Sequence, residues 1–147
     1  MVTTDFRHIG LVVSEIEEIK NIFTNFLGLT NFKDVNEINK KYISELVKCD
    51  VRNIKICVFT LPDNSKIELL DYGEKGNAKE IFSYKVGVNH FALTMKNLDV
   101  LYYKRDQFDI EFVNAPMLNP EKTVKLAYVK IKNQFFVELV QILEHKP

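Results

Sequence analysis

The chain repeats itself. The segment HIGLVVSEIE, beginning at His8, matches HFALTMKNLD, beginning at His90: both read histidine, apolar, small, leucine, then later apolar and acidic positions in the same order. Further on, IELL at residues 67–70 matches VELV at residues 137–140. Such self-similarity constrains the fold strongly, because each copy must then be one supersecondary unit of the same design. The distance from the histidine to the later glutamate is shorter in the second copy, so the copies differ in their middles.

Local patterns predict the unit. Phe6 to Val13 reads as a strand, and Ser14 with Glu17 fits a capping box. From Glu15 to Leu27, Ile16, Ile19, Ile22 or Phe23, and Phe26 or Leu27 recur at helical spacing, with Gly28 as the stop. Phe32 to Ile38, Lys41 to Val47, Asn53 to Leu61 and Lys66 to Tyr72 read as strands, with a turn at Pro62 to Ser65. The second series runs from a strand at Val88 to Met95, through a helix at Leu98 to Phe108 capped by Asn97, to a short strand at Ile110 to Val113. A loop at Ala115 to Pro120 precedes a hairpin of Thr123 to Ile131 and Phe135 to Leu143. The expectation is an α+β fold of two βαβββ modules in one domain spanning residues 1–147: module one at 1–72, a linker at 73–86 and module two at 87–147.

Composition excludes several classes. Twenty Lys and Arg balance 20 Asp and Glu among 147 residues, which argues against a nucleic-acid partner held by a basic surface. Eleven Phe and six Tyr argue for a packed core. No apolar run approaches the roughly 20 residues of a membrane span, and Asp5, Arg7 and His8 interrupt any signal-like segment. Cys49 and Cys57 are too few for a disulfide scaffold, and reduced thiols in a cytoplasmic protein are expected.

Only three histidines are present. His8 and His90 open the two copies, and His145 belongs to the tail. Glu68 and Glu138 interrupt apolar runs late in each copy. A carboxylate among so many apolar neighbours must face solvent or meet a cation. Two imidazoles and two carboxylates at equivalent places suit one divalent transition metal, such as Ni, Co, Zn or Mn. Four protein ligands on a six-coordinate ion leave two positions for water or substrate.

These pieces resemble the vicinal oxygen chelate superfamily, also called the glyoxalase/bleomycin-resistance/dioxygenase superfamily. The resemblance rests on HIGLVVSEIEEIKNIFTNFLGL (residues 8–29), KIELLDY (66–72), GVNHFALTMKNLD (87–99) and FFVELVQ (135–141). It implies paired βαβββ modules forming a curved mixed sheet around a central metal, with His8, Glu68, His90 and Glu138 as ligands, and a homodimer. It further implies glyoxalase I-like chemistry on a small α-carbonyl compound or its thiol adduct, in which the metal stabilises an ene-diolate. Glu138 is then the first candidate base, Glu68 the second and Glu45 a distant third. The alternatives are a methylmalonyl-CoA epimerase-like isomerase and a non-catalytic, bleomycin-resistance-like binding protein. An extradiol dioxygenase would use two His and one Glu, so Glu68 counts against it. Where many members carry an Asp-Pro-Asp-Gly-type turn, this chain has Ile131-Lys132-Asn133-Gln134, which predicts a different hairpin. Tyr72, Phe91, Met95 and Phe136 are candidates to line a pocket or to pack the core.

Overall fold

A computed structural model of the chain describes residues 6–74 and 90–143. The chain divides into two compact units, Met1–Gly76 and Asn77–Pro147. His145 and most of the expected linker lie outside the described residues, as do Val88 and Asn89 of the expected strand.

The first unit runs β1 (Ile9–Val12), α1 (Ile16–Asn21), β2 (Phe32–Asp34), α2 (Lys40–Val47), β3 (Lys55–Thr60) and β4 (Lys66–Asp71). Its four strands lie in the order β1-β4-β3-β2. β1 runs parallel to β4, and the other pairs are antiparallel. The second unit runs β5 (His90–Thr94), α3 (Leu98–Tyr103), β6 (Ile110–Phe112), β7 (Met117–Leu118), β8 (Val124–Ile131) and β9 (Phe135–Ile142). Its sheet order is β5-β9-β8-β6, with β7 also on β8. β5 is parallel to β9 as β1 is to β4. Both units are therefore mixed sheets with the same connectivity, as the repeat requires.

Alternation along each strand sorts side chains to two faces. In β4, Ile67, Leu69 and Asp71 are buried, whereas Glu68 and Leu70 are half-buried on the other face. The buried face meets α1, whose Ile16 and Ile19 are covered together with Ile22, Phe23 and Phe26 of the following π-helical turn (Ile22–Phe26). That wide turn, closed by Leu27 N–H to Ile22 O at 3.1 Å, rephases the helix so that Ile22 and Phe23 are both buried. Gly28 stops it with φ 73°, and Leu29 N–H returns to Phe23 O at 2.9 Å, as expected of a glycine C-terminus. Phe23 packs on Phe59 with ring centroids 5.2 Å apart. In the second unit buried Leu98 of α3 lies with the aliphatic side chains of Ala127, Val129, Ile131, Val137 and Leu139 in the core.

Three expectations need correction. Met117–Leu118, inside the expected loop, form the short strand β7 by pairing with Leu126 and Lys125 of β8. Residues 41–47 form a helix, α2, not a strand. Tyr42, Ile43, Leu46 and Val47 follow a helical period, and Asn39 caps the helix by accepting from Tyr42 N–H at 3.0 Å. This helix takes up the extra length of the first copy. The capping residue of α1 is Glu15, in a left-handed conformation (φ 56°), not Ser14. Its first-turn donor, Ile16 N–H, is met by Asp71 Oδ2 from β4 at 3.1 Å. The second unit repeats this: Asn97 caps α3 at φ 57°, and Leu98 N–H is met by Gln141 Oε1 from β9 at 2.8 Å. No helix among the described residues is long and apolar enough to cross a membrane.

Candidate metal centre

Each unit brings one predicted histidine to one predicted glutamate. Gly10 of β1 pairs with Glu68 of β4, so His8, two residues earlier, shares the face on which Glu68 stands. His8 Nε2 lies 3.5 Å from Glu68 Oε2. In the second unit Ala92 pairs with Glu138, and His90 again stands two residues before the glutamate's partner. His90 Nε2 lies 3.3 Å from Glu138 Oε2. The carboxylates avoid an unpaired position within an apolar strand by facing these imidazoles.

The geometry suits ligation. With bonds of about 2.1 Å, adjacent donors sit roughly 3.0 Å apart around an octahedral ion and 3.4 Å around a tetrahedral one. The two His–Glu separations fall close to these polyhedron edges. The side chains are partly open, at 40% and 26% exposure for His8 and Glu68 and 34% and 22% for His90 and Glu138, so an ion has access. Among the described residues no three His, Cys, Asp or Glu side chains gather in one place. Each unit by itself brings two candidate ligands together.

One residue of this face was missed by sequence reasoning. Tyr128 of β8 pairs directly with Glu138, and its hydroxyl lies 3.1 Å from His90 Nε2. The two rings meet edge to face with centroids 4.9 Å apart. Burial, the Glu138 charge and a hydrogen bond to that carboxylate hold the Tyr128 phenol above its usual range. A hydroxyl has one proton, so a Tyr128 that donates to Glu138 accepts from His90 Nε2–H. A signal for this was present: the hairpin around Lys132 to Gln134 sets the β8–β9 register and places Tyr128 opposite Glu138. In the first unit the same place, opposite Glu68, holds Val58.

The remaining candidates separate. Glu45 is exposed on α2. Phe136 is buried and pairs in register with His90. Phe91 lies near Phe135, with centroids 6.2 Å apart. Tyr72 and Met95 are half-buried. Both cysteines are free, Cys49 exposed and Cys57 buried.

The profile of the Glyoxalase/Bleomycin resistance protein/Dioxygenase superfamily matches residues 7–128, and the chain belongs to that superfamily. Comparison with curated proteins by sequence gives no significant match. Among solved structures, a glyoxalase family protein from Bacillus cereus is similar with a TM-score of 0.80 at 15% identity, over 98% of this chain and 97% of that one. The fosfomycin resistance protein FosX from Listeria monocytogenes is similar with a TM-score of 0.63 at 13% identity, over 99% of this chain and 97% of that one. A further FosX structure, complexed with Mn(II) and sulfate, has a TM-score of 0.59 at 13% identity, over 97% of this chain and 95% of that one.

Proposed function

We propose that the chain is a metal-dependent lyase or isomerase of the glyoxalase I type, acting on a small α-carbonyl compound or its thiol adduct. One observation carries this reading: a His–Glu pair at ligand spacing occurs twice, at equivalent registers of the two units. His8, Glu68, His90 and Glu138 supply a donor set for Ni, Co, Zn or Mn, and the Mn(II) held by FosX on the same fold supports it. When bound, the ion supplies Lewis acidity to the substrate oxygens. The chain's own side chains do the rest. The two imidazoles would hold the ion. One glutamate takes the proton from the carbon beside the carbonyl, and the C–H electrons move toward the carbonyl oxygen. The same carboxylate then returns the proton to the former carbonyl carbon, while the hydroxyl proton of the first carbon passes to the oxygen on the second, so the isomerisation consumes no other reactant. Glu138 and Glu68 are the two candidates for this role. The reading includes a homodimer, a small-molecule substrate and residence in the cytoplasm.

The test has two parts. Purified protein should take up one divalent ion per chain, and protein that gives no calorimetric response to Ni or Co would refute the metal reading. Solvent-deuterium exchange should then be screened over methylglyoxal–thiol adducts and acyl-CoA thioesters, with fosfomycin loss as a further assay. Exchange into a thiol adduct supports the glyoxalase type. Exchange only into an acyl-CoA replaces it with the epimerase reading.

A further inference from the structure

The two His–Glu pairs are not equivalent, and the difference lies in what stands beside each glutamate. Glu138 is flanked in register by Ala92 and Tyr128. Glu68 is flanked by Gly10 and Val58. Gly10, Val58 and Ala92 carry no side-chain donor, so of these four neighbours only Tyr128 can hold a carboxylate. Its hydroxyl also reaches His90 Nε2 at 3.1 Å, and its ring packs against the imidazole. Outer partners of this kind orient metal ligands and restrict their movement.

We propose that Tyr128 fixes Glu138 and the His90 ring, making this the rigid His–Glu pair, and leaves Glu68, beside Gly10 and Val58, as the carboxylate that moves and carries the proton. Tyr128 is thus a positioning residue. The assignment rests on the metal reading above and reverses the order that family resemblance gives to the two glutamates. Were His90 Nε2 to hold an ion, its N–H bond to the Tyr128 hydroxyl would be given up. The bond from the hydroxyl to Glu138 survives and is charge-assisted, hence the stronger of the two. Removing the hydroxyl therefore loosens Glu138 more than it frees His90. Glu68 can leave an ion without breaking a hydrogen bond to Val58 or Gly10, as a proton-carrying ligand must.

The experiment uses Co(II) alone, with calorimetry and visible absorption, on the full-length wild type and on Glu138→Gln, Glu68→Gln and Tyr128→Phe. Glu138→Gln should weaken Co(II) binding by more than the roughly 10–100-fold that loss of an outer partner costs. Glu68→Gln should weaken it by less than about tenfold. Tyr128→Phe should fall between them and shift the Co(II) absorption, because Glu138 reorients; a side chain serving only the fold would leave that band unmoved. Equal losses for the two glutamates, or a Tyr128→Phe protein matching wild type in affinity and spectrum, would overturn the inference alone. A wild type that binds no Co(II) overturns the metal reading and the inference with it.

Discussion

The two units share their register and their helix caps but differ in the side chains that fill those places. Both run their first strand parallel to their last and set the histidine two residues before the glutamate's partner. Both start the helix on a left-handed residue and satisfy its first N–H from the last strand. Val13 N–H to Leu70 O and Met95 N–H to Val140 O, each at 2.8 Å, complete the match. The first unit nevertheless has an aromatic core, an added helix and Val58 beside its glutamate. The second packs its helix on aliphatic side chains and has Tyr128. A repeated fold must keep the hydrogen bonds that set its register, since a slip of one residue turns every side chain to the other face. Within that register, the residues beside the ligands are free to diverge.

The largest expected difference lies in the cores. Phe59 and Val129 occupy equivalent positions, opposite Ile67 and Val137. Phe59→Ala should cost about 3–5 kcal/mol, as large aromatic truncations do. Val129→Ala, which removes about two methylene-sized groups, should cost about 2 kcal/mol. Denaturant unfolding measures both. Cys57 gives a readout for the first unit alone. Burial, with a hydrogen bond to Asp34, pushes its thiol up to about 12, so only exposed Cys49 should label in the native protein. Phe59→Ala should speed Cys57 labelling and Val129→Ala should not. Equal acceleration by both would mean that the units open together.

The caps give a smaller contrast. Asp71 accepts from Ile16 N–H at 3.1 Å and from Gly73 N–H at 2.8 Å, and it is buried. Its charge also lies at a helix N-terminus, where a negative group is favoured. Gln141 is neutral, less buried, and accepts from Leu98 N–H. Asp71→Ala should destabilise by about 2–3 kcal/mol and Gln141→Ala by about 1 kcal/mol. If thermal melts of the two variants coincide, the caps are interchangeable and charge and burial add nothing.

The caps also show what a sequence makes legible. The repeat and the four candidate ligands are carried by short local patterns, so they could be read in advance. Ser14 and Glu17 satisfied a local rule for capping, but the acceptor for Ile16 comes from Asp71, 55 residues away, and no local rule reaches that far. Residues 41–47 failed differently. Tyr42, Ile43, Leu46 and Val47 suit a strand by residue type and a helix by spacing, and in α2, which buries none of its residues, Asn39 settles the choice. Tyr128 lies between these cases: the hairpin register pointed to it, yet its role depends on where its hydroxyl points.

The smallest expected effect concerns Lys20, which ties α1 to the edge strand β2. Its ammonium lies 2.9 Å from both carboxylate oxygens of Asp34 and 3.2 Å from Glu17. The hydrogen bond from Lys20 holds the Asp34 carboxyl below its usual range, against some burial. The sign follows from linkage. A carboxyl whose value is lower folded than unfolded stabilises the fold fully above its unfolded value of 3.8, and loses that stabilisation as pH falls through the lower folded value. Asp34 is about half exposed, so solvent screening keeps the contribution of the order of that for a surface pair, below about 1 kcal/mol. Lys20→Met should therefore lower stability slightly at neutral pH, with the gap to wild type closing below the ordinary carboxylate range. Added salt at neutral pH should narrow it too. A gap that stays constant down to acid pH would show that Lys20 acts through the packing of its stem, whose ammonium lies 5.2 Å from the Phe32 ring centroid, rather than through its charge.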